Sequence, residues 1–191
     1  MGWTAEQKRQ SREKIVNSAA ELFTMEGYDN VGINDVMAHA GLTRGAFYNH
    51  FESKSALYAE AIVNAADIAK RTTLEKSGLK FADIIQAYLS KEHREGEFHC
   101  PLAFLATDIH QREDNVRNTY TQTLQGFINS IQQTLQKQRQ QEEAHQEADV
   151  DAAEAMKVAV LMIGGVAIAR AVNDDALAEQ LLNACREGVG A

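Results

Sequence analysis

Apolar residues recur along almost the whole chain at helical spacing, and no stretch shows convincing period-2 alternation. Ile15, Ala19, Leu22 and Phe23 fall at i, i+4, i+7 and i+8, which predicts a helix from about Ala5 to Glu26 ended by Gly27. Ile33, Val36, Met37 and Ala40 repeat the spacing in a short segment that Gly41 closes. A second short segment runs from Thr43 to about His50, anchored by Phe47, with Phe51 four residues on. Ser53 suits the N-cap of a long helix whose Leu57, Ala61 and Ile62 face inward.

Four or five more helices follow residue 75. Residues 81–95 carry Ile84, Ile85, Tyr88 and Leu89; residues 101–110 open with Pro101, whose missing N–H is harmless in a first turn. Residues 114 to about 137 carry Tyr120, Leu124, Phe127, Ile128, Ile131 and Leu135. The Gln- and Glu-rich stretch 132–147 is polar and is expected to fray into a solvated connection. Segments 151–172 and 174–187 are the last two helices. The expected fold class is all-α, with two parts joined by a continuous helix.

Composition narrows the class. The chain has 191 residues, enough for a sizeable core, and a single proline against 12 glycines, unlike a turn-rich β-sandwich or a disordered tract. Its two cysteines, Cys100 and Cys185, are too few for a disulfide scaffold and lack paired metal-ligand spacing. No apolar signal segment begins the sequence, and the longest uncharged apolar run, 158–169, has twelve residues, too few to span a bilayer. The expectation is a soluble, cytoplasmic protein with no membrane partner.

The net charge of −8 argues at first against nucleic acid. Its distribution changes the picture: residues 1–60 hold 6 Lys+Arg against 8 Asp+Glu, and the bases cluster. Lys8, Arg9, Arg12 and Lys14 lie near the start, Arg44 and Lys54 flank a second site, and residues 41–51 contain no acid. A locally positive surface is therefore available on an acidic chain.

Two short helices joined by a tight glycine turn are what a helix-turn-helix needs. Residues 33–40 read as the supporting helix, Gly41-Leu42 as the turn, and Thr43 as the cap of a recognition helix aimed at a major groove. Opposite Phe47 and Phe51 that helix presents Thr43, Arg44, Gly45, Tyr48 and Asn49. Arg reads guanine, Asn reads adenine, and Thr, Tyr and His50 suit phosphate oxygens, while glycine lets the backbone approach closely. Lys54 adds positive charge beside a helix N-terminus. On spacing alone, a plain helix pair with Gly41 as C-cap and a solvated polar face reads equally well.

The run Ile33-Asn34-Asp35-Val36-Met37-Ala38-His39-Ala40-Gly41-Leu42-Thr43-Arg44-Gly45-Ala46-Phe47-Tyr48-Asn49-His50-Phe51-Glu52-Ser53-Lys54-Ser55-Ala56-Leu57 strongly resembles the DNA-binding domain of TetR-family transcriptional repressors. The resemblance covers about the first 60 residues. It implies a helix-turn-helix domain over residues 1–53 and a helical bundle over 54–191 for ligand binding and dimerisation. It further implies a homodimer on a palindromic double-stranded operator, released by a small molecule, with no enzymatic activity and no cofactor. Gly32 departs from the pattern, standing where Ser or Thr commonly caps the supporting helix.

The segment from Gly96 to Ala103 resembles a family branch that includes electrophile- and oxidant-responsive repressors with a cysteine at this place. Cys100 is then a candidate sensor: as N-cap to Pro101 it meets the positive helix end, which favours thiolate. His99 would reinforce this and Glu97 oppose it, whereas Cys185 sits near a C-terminal helix end. Ligand-binding candidates in the C-terminal part are Tyr88, Cys100, Phe104, Tyr120, Leu124, Phe127 and Met162, with Leu105 beside them; such a stripe reads equally as core.

The last two helices are expected to form the dimer interface through Val158, Met162, Gly165, Val166 and Ala169, and through Leu177, Leu181 and Cys185. Gly164-Gly165 inside a helix argues for a closely approaching neighbour. Two other classes remain. A metal-dependent helical-bundle enzyme could use His93, His99, Cys100, Asp108 and His110, although their spacings match no standard site and no glycine-rich phosphate loop, nucleophile elbow or HExxH is found. A non-DNA-binding dimeric helical protein is the other.

Overall fold

The computed structural model of the protein describes residues 4–76, 80–96, 100–142 and 151–190, and every regular element among them is helical. In chain order these are α1 (Ala5–Glu26), α2 (Ile33–His39), α3 (Arg44–Phe47), α4 (Lys54–Lys76), α5 (Phe81–Tyr88), α6 (Lys91–Glu95), α7 (Pro101–Phe104), a 3₁₀ turn (Ile109–Gln111), α8 (Asp114–Glu142), α9 (Ala152–Ala171) and α10 (Asp175–Gly188).

Local chemistry sets the ends of the first helices. Thr4 and Gln7 form a reciprocal capping box: Gln7 N–H donates to Thr4 Oγ1 (3.2 Å) and Thr4 N–H to Gln7 Oε1 (2.8 Å). Gly27, at φ +83°, closes α1 in a backbone region that glycine tolerates without strain. At the head of α2, the Gly32 N–H donates to Asp35 Oδ2 at 2.7 Å. A Cβ on residue 32 would lie 3.0 Å from that oxygen, so the departure at Gly32 leaves room for a cap supplied from Asp35 instead. Gly41 takes the turn at φ +67°, and Ser53 Oγ accepts the Ala56 N–H (3.0 Å) at the start of α4.

Three expected helices differ. The segment 81–95 is two helices: Ser90 interrupts it, its Oγ donating to Ala87 O (2.9 Å) and accepting from His93 N–H (3.1 Å), which caps α6 anew. The segment 101–110 yields only one helical turn before the 3₁₀ turn. The recognition segment is regular only over Arg44–Phe47; Asn49 and His50 N–H groups bond three residues back, in a tightened turn. In contrast α8 runs on to Glu142, and the rest of the expected polar connection lies outside the described residues.

The chain packs as two compact units. The first combines Met1–Ile68 with Phe98–Thr121, the second Ala69–Glu97 with Gln122–Ala191. In the first, Ile15, Phe23, Val36, Met37, Phe47, Phe51, Leu57, Tyr58 and Ile62 form one buried core that also takes in Leu105, Ile109 and Val116. Packing thus divides the chain differently from the division expected from sequence after residue 53. In the second unit α9 packs on α5, α6 and α10, burying Ile85, Tyr88 and Leu89 with Val158, Met162, Val166 and Leu182. By length and composition α9 could cross a membrane, which counting the twelve-residue uncharged run overlooks; its inner face is the apolar centre of this unit.

Candidate nucleic-acid interface

Phe47 and Phe51, both buried with ring centroids 5.7 Å apart, root the recognition segment in the core of the first unit. That anchoring turns the other face outward: Thr43, Arg44, Gly45, Tyr48 and Asn49 are all exposed. Thr43 holds the N-cap position in extended backbone, yet its side chain makes no capping hydrogen bond. Tyr48 is 59% exposed, its ring edge-on to Phe47 with centroids 5.2 Å apart. His50 is half-buried, and burial together with the nearby cations Arg12 and Lys8 holds its imidazole below the usual range.

The basic cluster of α1 is partly spent. Arg12 donates to Glu60 Oε1 (2.5 Å) and lies 4.9 Å over the Phe51 ring, while Arg9 pairs with Glu6 (2.8 Å) and Glu13 (3.7 Å). Lys54 also departs from the expectation. It is turned inward: Nζ donates to the Tyr28 carbonyl and lies 4.0 Å over the Tyr28 ring, and burial lowers its pKa. Its ammonium fastens the head of α4 to the turn between α1 and α2, so it is a structural clamp before it is anything else.

The ligand-binding candidates divide between the units. In the second, Tyr88 and Met162 are buried, and Tyr88 lies against Phe127 (centroids 5.7 Å) and His93 (4.5 Å), with Leu124 half-buried on α8. In the first, Tyr120 Oη donates to Leu102 O at 2.7 Å, Phe104 is half-buried and Leu105 belongs to the core. Burial, with the Cys100 thiol nearby, pushes the Tyr120 hydroxyl up to about 12. Cys100 is indeed the residue before the first turn of α7, but its side chain makes no capping bond and is 4% exposed. His99 and Glu97, which entered the thiolate argument, lie outside the described residues, and burial raises the pKa of Cys185. An open groove of about 470 Å³ between α1 and α4 is lined by none of these candidates. Among the described residues no three of His, Cys, Asp and Glu are grouped to hold a metal, and His99 lies outside them.

Packing within the chain covers the expected interface stripe of α9. Val158, Met162, Gly165, Val166 and Ala169 are buried within the chain's own second unit. A Cβ on Gly165 would meet Cys185 Sγ at 2.8 Å and Leu89 Cδ2 at 3.0 Å, so the close neighbour of this glycine is intramolecular. Exposed instead are Met156, Val160 (69%) and Ile168 (56%), with Gly164 between them facing open space. On α10 Leu177 is exposed and Leu181 half-buried, while Ala178 and Leu182 turn inward.

Two family models match the chain: "Bacterial regulatory proteins, tetR family" over residues 15–61 and "Tetracyclin repressor-like, C-terminal domain" over residues 79–185. Among curated relatives, the chain is similar to the HTH-type transcriptional repressor DhaR of Mycobacterium sp. strain GP1, 25% identical over 129 residues, covering 65% of each chain. It is also similar to the uncharacterized HTH-type transcriptional regulator YdgC of Bacillus subtilis, 29% identical over 83 residues, 42% of this chain and 43% of that one. It therefore spans less than two thirds of the length of these relatives. Among solved structures, a TetR-family transcriptional regulator from Cytophaga hutchinsonii superposes with a TM-score of 0.79 at 18% identity, over 99% of this chain and 97% of the other. The reduced form of E. coli NemR gives 0.74 at 18% identity, over 94% of each. These superpositions show the fold.

Proposed function

The chain belongs to the TetR family of bacterial transcriptional regulators, with a DNA-binding domain and no place among enzymes, and from that premise we propose that it is a homodimeric repressor, released from a palindromic operator by a small molecule. The observation that carries the DNA-binding part is the acid-free, exposed face of Thr43, Arg44, Gly45, Tyr48 and Asn49, held rigidly by Phe47 and Phe51. Arg44 and Asn49 offer the donors and acceptors that read base edges; Thr43, Tyr48 and His50 reach phosphate oxygens. DNA binding is assigned to residues up to 53, and effector binding and dimerisation to 54–191. A regulator of chromosomal DNA works in the cytoplasm, and that is the location proposed.

Dimerisation is assigned to the outward stripe Met156, Val160, Gly164 and Ile168 with Leu177 and Leu181, since exposed apolar rows on a folded chain mark partner surfaces. Two-fold pairing there supplies the symmetry of a palindrome. The effector is proposed to be a reversibly held organic molecule rather than an electrophile, because Cys100 is closed off from solvent. Tyr88, Leu124 and Phe127 in the second unit, and Phe104 and Tyr120 in the first, are the side chains to test for it.

Selection of random duplexes with the purified full chain tests the proposal. An inverted repeat is expected, with half-sites about one helical turn or a multiple apart. Arg44→Ala should relax base preference at one position per half-site at a cost of about 1–3 kcal/mol, and Tyr48→Ala should weaken all duplexes alike. Enrichment of no sequence, or wild-type behaviour of both variants, overturns the reading.

A further inference from the structure

Tyr28 and Asp29, in the turn between α1 and α2, meet a side chain that joins them from far along the chain. Arg112 Nη1 and Nη2 donate to the two Asp29 carboxylate oxygens at 2.9 and 2.6 Å. The same guanidinium donates from Nε to Asp108 Oδ2 (3.1 Å) and from Nη2 to Asp108 Oδ1. Its carbon lies 4.5 Å over the Tyr28 ring, the ring on which Lys54 also rests. Asp108 Oδ2 further accepts the Tyr58 hydroxyl at 3.1 Å, and Tyr58 is fully buried on α4.

One guanidinium therefore ties the α1–α2 turn to the segment 108–112, and through Asp108 to α4. Its planar fork is suited to this, since it bonds two carboxylates at once and stacks on an aromatic face. The Arg112 side chain is only 10% exposed, whereas that of Asp29 is 71% exposed, so Asp29 has no burial of its own to hold it. Arg112 lowers the pKa of Asp29, and both acids raise that of Arg112. Tyr28 stacks in turn on Phe23 (centroids 5.8 Å) and packs tilted against Tyr58 (4.8 Å), so a displacement of Arg112 reaches the core beneath α2 and α3.

We propose that Arg112 is a positioning residue for DNA binding, holding the helix-turn-helix in its binding geometry through Asp29 and Tyr28. The helix-turn-helix then binds DNA only as well as the segment 108–112 is seated, which gives that later segment a handle on operator affinity. The inference rests on the DNA-binding reading above.

Charge and position predict opposite signs for one substitution. Asp29→Asn removes an acid from an acidic DNA-binding unit, which by electrostatics alone tightens binding. If Asp29 is an anchor, it loosens the turn and weakens binding by about threefold to tenfold, the loss of a charged hydrogen-bond pair. The experiment titrates the full-length Asp29→Asn, Arg112→Gln and Arg117→Gln proteins against the selected duplex and follows hydrogen exchange of residues 28–50 without DNA. Arg117, an exposed base paired with Asp114, is the control for lost positive charge. Weaker binding by both Asp29→Asn and Arg112→Gln, the latter exceeding Arg117→Gln by about tenfold, with faster exchange over 28–50 in both, supports the proposal. Unchanged or tighter binding by Asp29→Asn, equal losses in the two arginine variants, or unchanged exchange overturns it. Should Arg112→Gln fail to fold, Asp29→Asn alone decides by its sign. Should no duplex be selected, the DNA-binding reading fails, and hydrogen exchange still decides whether Arg112 holds the motif.

Discussion

Gly45 sits in the exposed turn of α3, and a Cβ built there meets nothing within 4 Å. Its φ lies outside the left-handed region, unlike those of Gly27 and Gly41, so no backbone requirement explains it. Glycine in a helix costs about 0.5–1 kcal/mol relative to alanine, and nothing inside the chain returns that cost. On the proposed DNA-binding reading the demand comes from outside, where a bare backbone admits the duplex closely. Gly45→Ala is accordingly expected to raise thermal stability by up to about 1 kcal/mol while weakening duplex binding, read by melting and by titration. Binding at the wild-type level would remove the role. Single positions such as Gly27, Gly41 and Ser53 were legible because turn and cap chemistry is local. Lys54 was not, because its partners Tyr28 and Phe23 are set by folding.

Among helices, α9 carries two apolar rows, of which its own chain covers one. Val158, Met162, Val166 and Ala169 form one apolar row, and Met156, Val160 and Ile168 form another on the opposite side. A helix apolar all round has no polar face to exclude, so periodicity locates the helix without saying which row its own chain covers. The two glycines separate the cases. Gly165→Leu should drive side-chain atoms into Cys185 and Leu89, destabilising the fold by about 1–3 kcal/mol or more. Val160→Asp should leave the melting temperature of the subunit nearly unchanged but shift light scattering to monomer, since Val160 is 69% exposed on one chain. An intact dimer in the Val160→Asp protein would move the interface elsewhere.

For the molecule as a whole, the helix-turn-helix is not built from the first 60 residues alone. Its core closes only with Leu105, Ile109 and Val116, while Ser55 Oγ donates to Asn115 Oδ1 at 3.2 Å. Burying such a side chain is worth about 1.5–3 kcal/mol, so the three together match the whole stability of a small domain. A fragment ending at residue 60 is therefore expected to melt without a cooperative transition, whereas the full chain melts cooperatively; circular dichroism checks both. A sharp transition in the fragment would show that the later segment adds nothing to the fold of the motif.

Helical periodicity, caps and the glycine turn settle the all-α class, the span of α1, the turn at Gly41 and the outward face of the recognition segment, because each depends on neighbours within a few residues. The break at Ser90 escapes periodicity, since its hydroxyl takes up Ala87 O and the His93 N–H in place of continued helix. Arg112 on Asp29 joins positions 83 apart in the chain, and Arg94 on Asp175 joins positions 81 apart. No spacing rule reaches that far. Which acid an arginine finds, and which side of an apolar helix is left bare, follow from the packing of the assembled core.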